Sequence, residues 1–221
     1  MAFVNAADVY FGSYAKFTTL GKNEGAAKAG PDNAIGDIGT IEFQLDDQKR
    51  SIAWMKNRFG HMVGQLDPAM SYTLAVMNAK GWNLHYVLSF VAFTEHPDSD
   101  KNSYWGEVAV IAFAPRYGEE FGEFMRTFSL QVADGSRPNP ALTNIEVEGI
   151  LRDPISWKPV MTIDMPRMDA NTVIIKNRRS MHDKLLDQGR GKNPGCYAIS
   201  WLFIFAVLGG GFWVLRSMGI I

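Results

Sequence analysis

Residues 82–94, WNLHYVLSFVAFT, and residues 104–114, YWGEVAVIAFA, predict the fold of this chain. Both stretches are rich in β-branched and aromatic residues, which favour strands, and a polar loop at 96–102 joins them. In the first stretch one face carries only apolar and aromatic side chains, and the opposite face also becomes apolar toward its end: Trp82, Leu84, Tyr86, Leu88 and Phe90 against Asn83, His85, Val87, Ser89, Val91 and Phe93. A strand that is apolar on both faces is usually covered on both sides, here by helices or by another subunit.

Helical periodicity or capping predicts three helices. The clearest is residues 119–134, where one apolar stripe is followed by Gly135: Phe121, Phe124, Met125, Phe128 and Val132. Asp67 and Pro68 form an N-cap and first position of another helix, which should end at Gly81. A helix is also expected after Asp46, because Ile52, Met55, Phe59 and Met62 recur near helical spacing.

Further strands are expected around these elements. Residues 35–45 form one, and Ile145, Val147 and Leu151 alternate with glutamates as in a strand with one wet face. Residues 160–165 and 172–176 are weaker candidates. The order of elements predicts an α+β fold, an antiparallel or mixed sheet with about three helices, plus one C-terminal transmembrane helix.

The chain divides into five segments. Residues 1–34 are expected to be an extended N-terminal arm whose aromatic side chains dock elsewhere. Residues 35–178 form the soluble α+β domain, and 179–195 form a basic juxtamembrane segment in which Ser180–Asp183 has the pattern of a capping box. Residues 196–216 form the transmembrane helix, and 217–221 a short tail.

The transmembrane helix is predicted from residues 197–215, YAISWLFIFAVLGGGFWVL, which contain no charge. About 20 helical residues cross a hydrocarbon core of about 30 Å. Tyr197, Trp201 and Trp213 are expected at the two membrane interfaces, where aromatic residues are enriched. The alternative is a buried core helix or hairpin of a soluble protein.

The flanking charges predict the orientation. Basic residues precede the span, including Lys184, Arg190 and Lys192, whereas Arg216 alone follows it. The positive-inside rule then places the N-terminal domain in the cytoplasm and the C-terminus on the opposite side. Lys184 and Arg190 are expected to reach anionic lipid headgroups, although a solvated basic linker explains them equally well.

Small residues within the span indicate a helix partner. Ala206, Gly209 and Gly210 share one stripe, where a second helix can approach closely. That helix belongs either to an integral membrane protein subunit or to a second copy of this chain, which would make a homo-oligomer. The alternative is that glycine is simply frequent in membrane helices.

No catalytic, metal or cofactor motif emerges from the residue spacing. The four histidines, of which His85 alone is expected to be partly buried, lack zinc-binding spacing, and the only cysteine is Cys196. Position 16 is Lys16 where a phosphate loop ending at Lys22 requires glycine. The net charge of −1 favours no nucleic acid partner.

These observations predict a non-catalytic, single-pass membrane-anchored accessory subunit of a larger membrane protein assembly. One alternative is a tail-anchored enzyme or ligand-binding protein whose site is formed by distant residues, near His85 and the 96–103 loop. Another is a homo-oligomeric membrane protein that assembles through the stripe containing Ala206 and Gly210.

Overall fold

A computed structural model of the chain describes residues 5–19, 32–96, 98, 103–181 and 183. The expected α+β class is confirmed, and every paired strand is antiparallel to its neighbours. The elements are β1 (Tyr10–Thr18), β2 (Ile38–Leu45), β3 (Ser51–Lys56), β4 (Met62–Leu66), α1 (Pro68–Ala79), β5 (Asn83–Thr94), β6 (Ser103–Phe113), α2 (Gly118–Ala133), α3 (Asn144–Arg152) and β7 (Thr172–Lys176).

Six of these strands close into a barrel rather than forming an open sheet. Their order is β2-β3-β4-β1-β6-β5, and a further pairing of β2 with β5 completes the ring. β5 is long enough to serve two neighbours along one edge: His85–Val87 pair with β2, whereas residues 91–94 pair with β7. β7 therefore extends the sheet outside the closed ring.

Barrel closure explains why β5 and β6 are apolar on both faces. The inner face fills the barrel, and the outer face is covered by α2, whose Phe121 stacks on Tyr10 and Phe113 at centroid distances of 5.1 and 5.3 Å. A β-bulge lies between Leu88 and Phe90, so Leu88 pairs with Val108 and Phe90 with Glu107. The bulge puts Phe90 on the outer face, so the expectation that it shares a face with Leu88 is wrong.

The helix expected after Asp46 is wrong, because this region is the hairpin of β3 and β4. The Asp46 carboxylate accepts hydrogen bonds from the Gln48 and Arg50 backbone N–H groups at 2.9 and 2.8 Å, which makes a turn and not a helix cap. The Asn57 side chain organises the next turn by accepting from the Phe59 and His61 N–H groups, both at 3.0 Å.

The strand expected around Ile145 is wrong as well, because this region forms α3. Thr143 and Glu146 make a reciprocal capping box: the Thr143 Oγ1 accepts from the Glu146 N–H, and the Glu146 carboxylate accepts from the Thr143 N–H. Val147 and Ile150, one helical turn apart, are then both buried.

The N-terminal segment is not an arm where the structure describes it. β1 pairs with β6 along its whole length, from Tyr10 opposite Phe113 to Thr18 opposite Trp105. The many aromatic residues that suggested docking on a partner include Tyr10 and Phe17, which are buried in the core. The expectation of an extended arm over 1–34 is therefore wrong for residues 10–18.

Of four other expected elements, three are confirmed and one is wrong. α1 and α2 are confirmed, with Asp67 capping α1 by accepting from the Ala69 and Met70 N–H groups. The strand at 172–176 is confirmed as β7. Residues 160–165 contribute only one isolated bridge, between Thr162 and Pro138, so the strand expected there is wrong.

The chain forms two compact units, Met1–Arg179 and Ser180–Ile221. In the second unit, Ser180 and Asp183 make the reciprocal hydrogen bonds of the expected capping box, each at 3.1 Å between a side-chain oxygen and a backbone nitrogen. The expected transmembrane helix at 196–216 lies outside the described residues. Within the described part of the chain, no helix combines the length and the apolar character needed to cross a bilayer.

Candidate functional site

The residues expected to pack or anchor the membrane segment all lie outside the part of the chain that the structure describes. They are Ala206, Gly209 and Gly210 for helix packing, and Lys184, Arg190, Lys192, Tyr197, Trp201 and Trp213 for the membrane interface. His85 is the one histidine singled out from the sequence that the structure places in the folded domain.

His85 lies half-buried on the outer face of β5, beside Phe113. Its ring stacks on Phe113 with 5.6 Å between ring centroids, and its buried Nδ1 has no hydrogen-bond partner among the described residues. Burial lowers the pKa of His85 below its ordinary value of 6.5, and a hydrogen bond with the Gly39 backbone only partly opposes this shift. His85 therefore packs against Phe113 with its neutral form favoured.

This environment makes a pH-dependent prediction. A lowered pKa in the folded state stabilises the fold above pH 6.5, and that stabilisation is lost as the pH falls through the folded-state pKa. We expect His85→Phe to lose less thermal stability than the wild-type chain between pH 7.5 and pH 5. Melting temperatures of both chains across this range measure the difference; parallel curves would contradict a lowered pKa at His85.

The strongest polar cluster was not apparent from the sequence. Arg137, which follows α2, donates from Nη1 to the Ser89 hydroxyl and from Nη2 to the Glu107 carboxylate, both at 2.7 Å. The two charged side chains are only 8% and 17% exposed. The guanidinium also lies over the Tyr14 ring, 4.3 Å from its centroid. Four distant parts of the chain thus meet around one buried cation.

Neighbouring contacts show that this cluster holds the chain after α2 against β1. The hydroxyls of Tyr14 and Tyr10 donate to the carbonyl oxygens of Pro138 and Pro140 at 3.1 and 2.9 Å. A Cβ at Gly12 would overlap the Pro140 carbonyl oxygen, so glycine permits this close approach. Burial raises the pKa of Tyr14 to about 12 although Arg137 opposes the rise. The cluster therefore acts as a structural clamp.

A cleft of about 420 Å³ opens on the barrel wall where β4 ends and α1 begins. Its charged lining residues already have contacts: Arg50 pairs with Asp46 at 2.8 Å, Asp67 caps α1, and the Lys16 ammonium lies 4.1 Å from the centroid of the Trp105 ring. Among the described residues, no group of three or more histidine, cysteine, aspartate or glutamate side chains is placed to hold a metal ion.

Exposed apolar side chains concentrate near the end of the domain. β7 lies at the edge of the sheet, and Val173, Ile174 and Ile175 are all exposed, Val173 by 62%. Ile155, Val160 and Met161 are exposed in the preceding segment. We call Val173, Ile174 and Ile175, together with the outer edge of their strand, the β7 edge. Among the described strands, none pairs with that outer edge.

No family model, curated protein or solved structure matches this chain. The geometry of the described domain therefore carries the functional inference. The exposed apolar β7 edge is the feature of the described domain that is typical of an interaction surface.

Proposed function

We propose that this protein is a non-catalytic, single-pass membrane-anchored accessory subunit of a larger membrane protein assembly, with its barrel domain on the cytoplasmic side. The observation that carries this proposal is the number of apolar side chains left exposed between residues 155 and 175. These side chains come shortly before the charge-free residues 197–215 in the chain.

The barrel does not need this surface for its own core. The inside of the ring and the layer beneath α2 are filled by buried side chains such as Phe17, Met55, Phe121 and Phe128. Exposed apolar residues scattered singly are ordinary, whereas adjacent ones such as the three of the β7 edge form a patch typical of an interaction site. A protein partner that buries Val160, Met161 and the β7 edge would remove them from water.

The proposed anchor supplies the second part of the function. Tyr197, Trp201 and Trp213 would sit at the bilayer interfaces, and Lys184, Arg190 and Lys192 would contact anionic headgroups on the cytoplasmic side. The stripe of Ala206, Gly209 and Gly210 would pack against a helix of an integral membrane subunit. An anchored domain meets its partner at a high effective concentration, so a modest apolar surface is sufficient for docking.

Extraction of the full chain from its native membrane in a mild detergent tests this proposal. We expect a particle much larger than the 24.6 kDa chain, containing other membrane proteins in constant stoichiometry. Gly210→Leu should reduce that association because leucine blocks the close helix approach, whereas Leu208→Ile, elsewhere in the same segment, should leave it intact. A wild-type chain that elutes alone or only with itself would overturn the accessory-subunit proposal.

A further inference from the structure

We propose that β7 pairs antiparallel with the β7 of a second copy of this chain, so that one continuous sheet joins two barrels across a two-fold axis. This inference deepens the proposed function, on which it rests, by naming a second copy as one partner within the assembly. It is carried by the hydrogen-bonding groups, side chains and charges of the β7 edge.

The backbone of β7 shows which groups point away from the barrel. The Glu95 N–H donates to the Asn171 carbonyl at 2.9 Å, so these two residues form a hydrogen-bonded pair. Hydrogen-bonded and non-hydrogen-bonded pairs alternate along an antiparallel ladder, and Phe93 opposite Val173 is therefore the next hydrogen-bonded pair. The N–H and C=O of Ile174, opposite Ala92, consequently point to the outer edge.

Ile174 is also the position that a two-fold axis favours. The Thr172 N–H, which points to the same edge, already donates to the Asp169 carbonyl at 3.0 Å. If the axis passes beside Ile174, the two copies of this residue exchange two backbone hydrogen bonds with each other. Val173 of each copy then lies opposite Ile175 of the other, and these exposed apolar side chains cover one another.

The charges flanking β7 favour the antiparallel direction. The exposed Asp169 precedes the strand, and the exposed Arg178 follows it. Antiparallel pairing brings Asp169 of each strand toward Arg178 of the other, whereas parallel pairing would bring each of these charges next to its own copy. Val173, Ile174 and Ile175 include no proline or charged residue of the kind that protects edge strands from pairing. The register of β7 on β5 shifts at Ile175, so the pairing is centred on Ile174, before this bulge.

Cysteine cross-linking in the native membrane tests this pairing with the full chain. In a Cys196→Ser background, Ile174→Cys places two thiols beside the axis, on residues whose Cα atoms are about 5.5 Å apart in a hydrogen-bonded pair. Mild oxidation should then double the apparent mass on a non-reducing gel from 24.6 kDa. Ile145→Cys, at a side chain that is 83% exposed but lies on α3, is the control and should remain monomeric.

Charge reversal provides a second, independent measurement. In the Ile174→Cys chain, Asp169→Arg and Arg178→Asp should each reduce the cross-linked fraction several-fold, and the two changes together should restore it. Failure of the Ile174→Cys chain to form a disulfide-linked dimer, equal cross-linking of the Ile145→Cys control, or no rescue in the double reversal would overturn the pairing.

The two proposals fail in different ways. A large particle of constant composition in which the Ile174→Cys chain stays monomeric on oxidation would leave the accessory-subunit function standing and refute β7 pairing. A disulfide-linked dimer of the Ile174→Cys chain in a sample that contains no other protein would uphold the pairing and refute the accessory-subunit function.

Discussion

Phe124→Ala is expected to lower the free energy of unfolding by about 3–5 kcal/mol, because it deletes a fully buried ring and leaves a cavity. Phe124 lies where α2 meets the outer face of the barrel. Its ring packs edge-on to Trp157 at 4.8 Å and to Tyr10 at 6.0 Å between centroids, and it also contacts Phe128. The substitution therefore removes the side chain through which α2 contacts both β1 and the segment after α3.

Leu130→Ala is the matched control, because Leu130 belongs to the same helix but is 64% exposed. We expect its effect to stay within about 0.5 kcal/mol. Urea unfolding of the full chain followed by tryptophan fluorescence measures both variants. A similar loss for the two would contradict the placement of Phe124 between the helix and the barrel.

Glu107→Ala is expected to destabilise the fold by about 3 kcal/mol, because it leaves the Arg137 guanidinium buried without its carboxylate partner. Replacing both residues with apolar ones of similar size, Glu107→Leu together with Arg137→Met, should cost less than the single change, since no unpaired charge remains. The same urea titration measures this difference.

Glu123→Ala supplies the control for that experiment. Glu123 pairs with Arg126 at 2.6 Å on the exposed face of α2, where solvent screens the charges. We expect its loss to stay below about 1 kcal/mol. A double variant less stable than Glu107→Ala, or equal losses at Glu107 and Glu123, would contradict the clamp.

Turn chemistry explains the larger errors in the elements predicted from sequence. The apolar residues between Ile52 and Met62 fit helical spacing as well as the alternation of two short strands, so periodicity alone did not separate them. The side chains of Asp46 and Asn57 accept hydrogen bonds from nearby backbone N–H groups, and the turns that these bonds stabilise favour strands over a helix. At Thr143 and Glu146 a capping box was present in the sequence and would have identified α3 correctly.

The candidate sites were harder to predict than the elements. Arg137 follows Ser89 by 48 residues and Glu107 by 30 residues, and no local pattern connects them. The residues of β7 were recognised as a strand, but an edge strand has the same local sequence pattern as a strand within a sheet. Its open side follows from the pairing of β5, which binds β2 and β7 along one edge and leaves β7 as the last strand.

By itself, the sequence determined the features whose causes lie within a few neighbouring residues. These are the α+β class, the caps and stripes of α1 and α2, and the strands β5, β6 and β7, because side-chain periodicity and capping act locally. Only the tertiary structure decided barrel closure, the burial of β1, the clamp at Arg137 and the exposure of the β7 edge. Those features depend on which distant strands pair, and the bulge beside Leu88 shows that one extra residue reverses the faces that local alternation predicts.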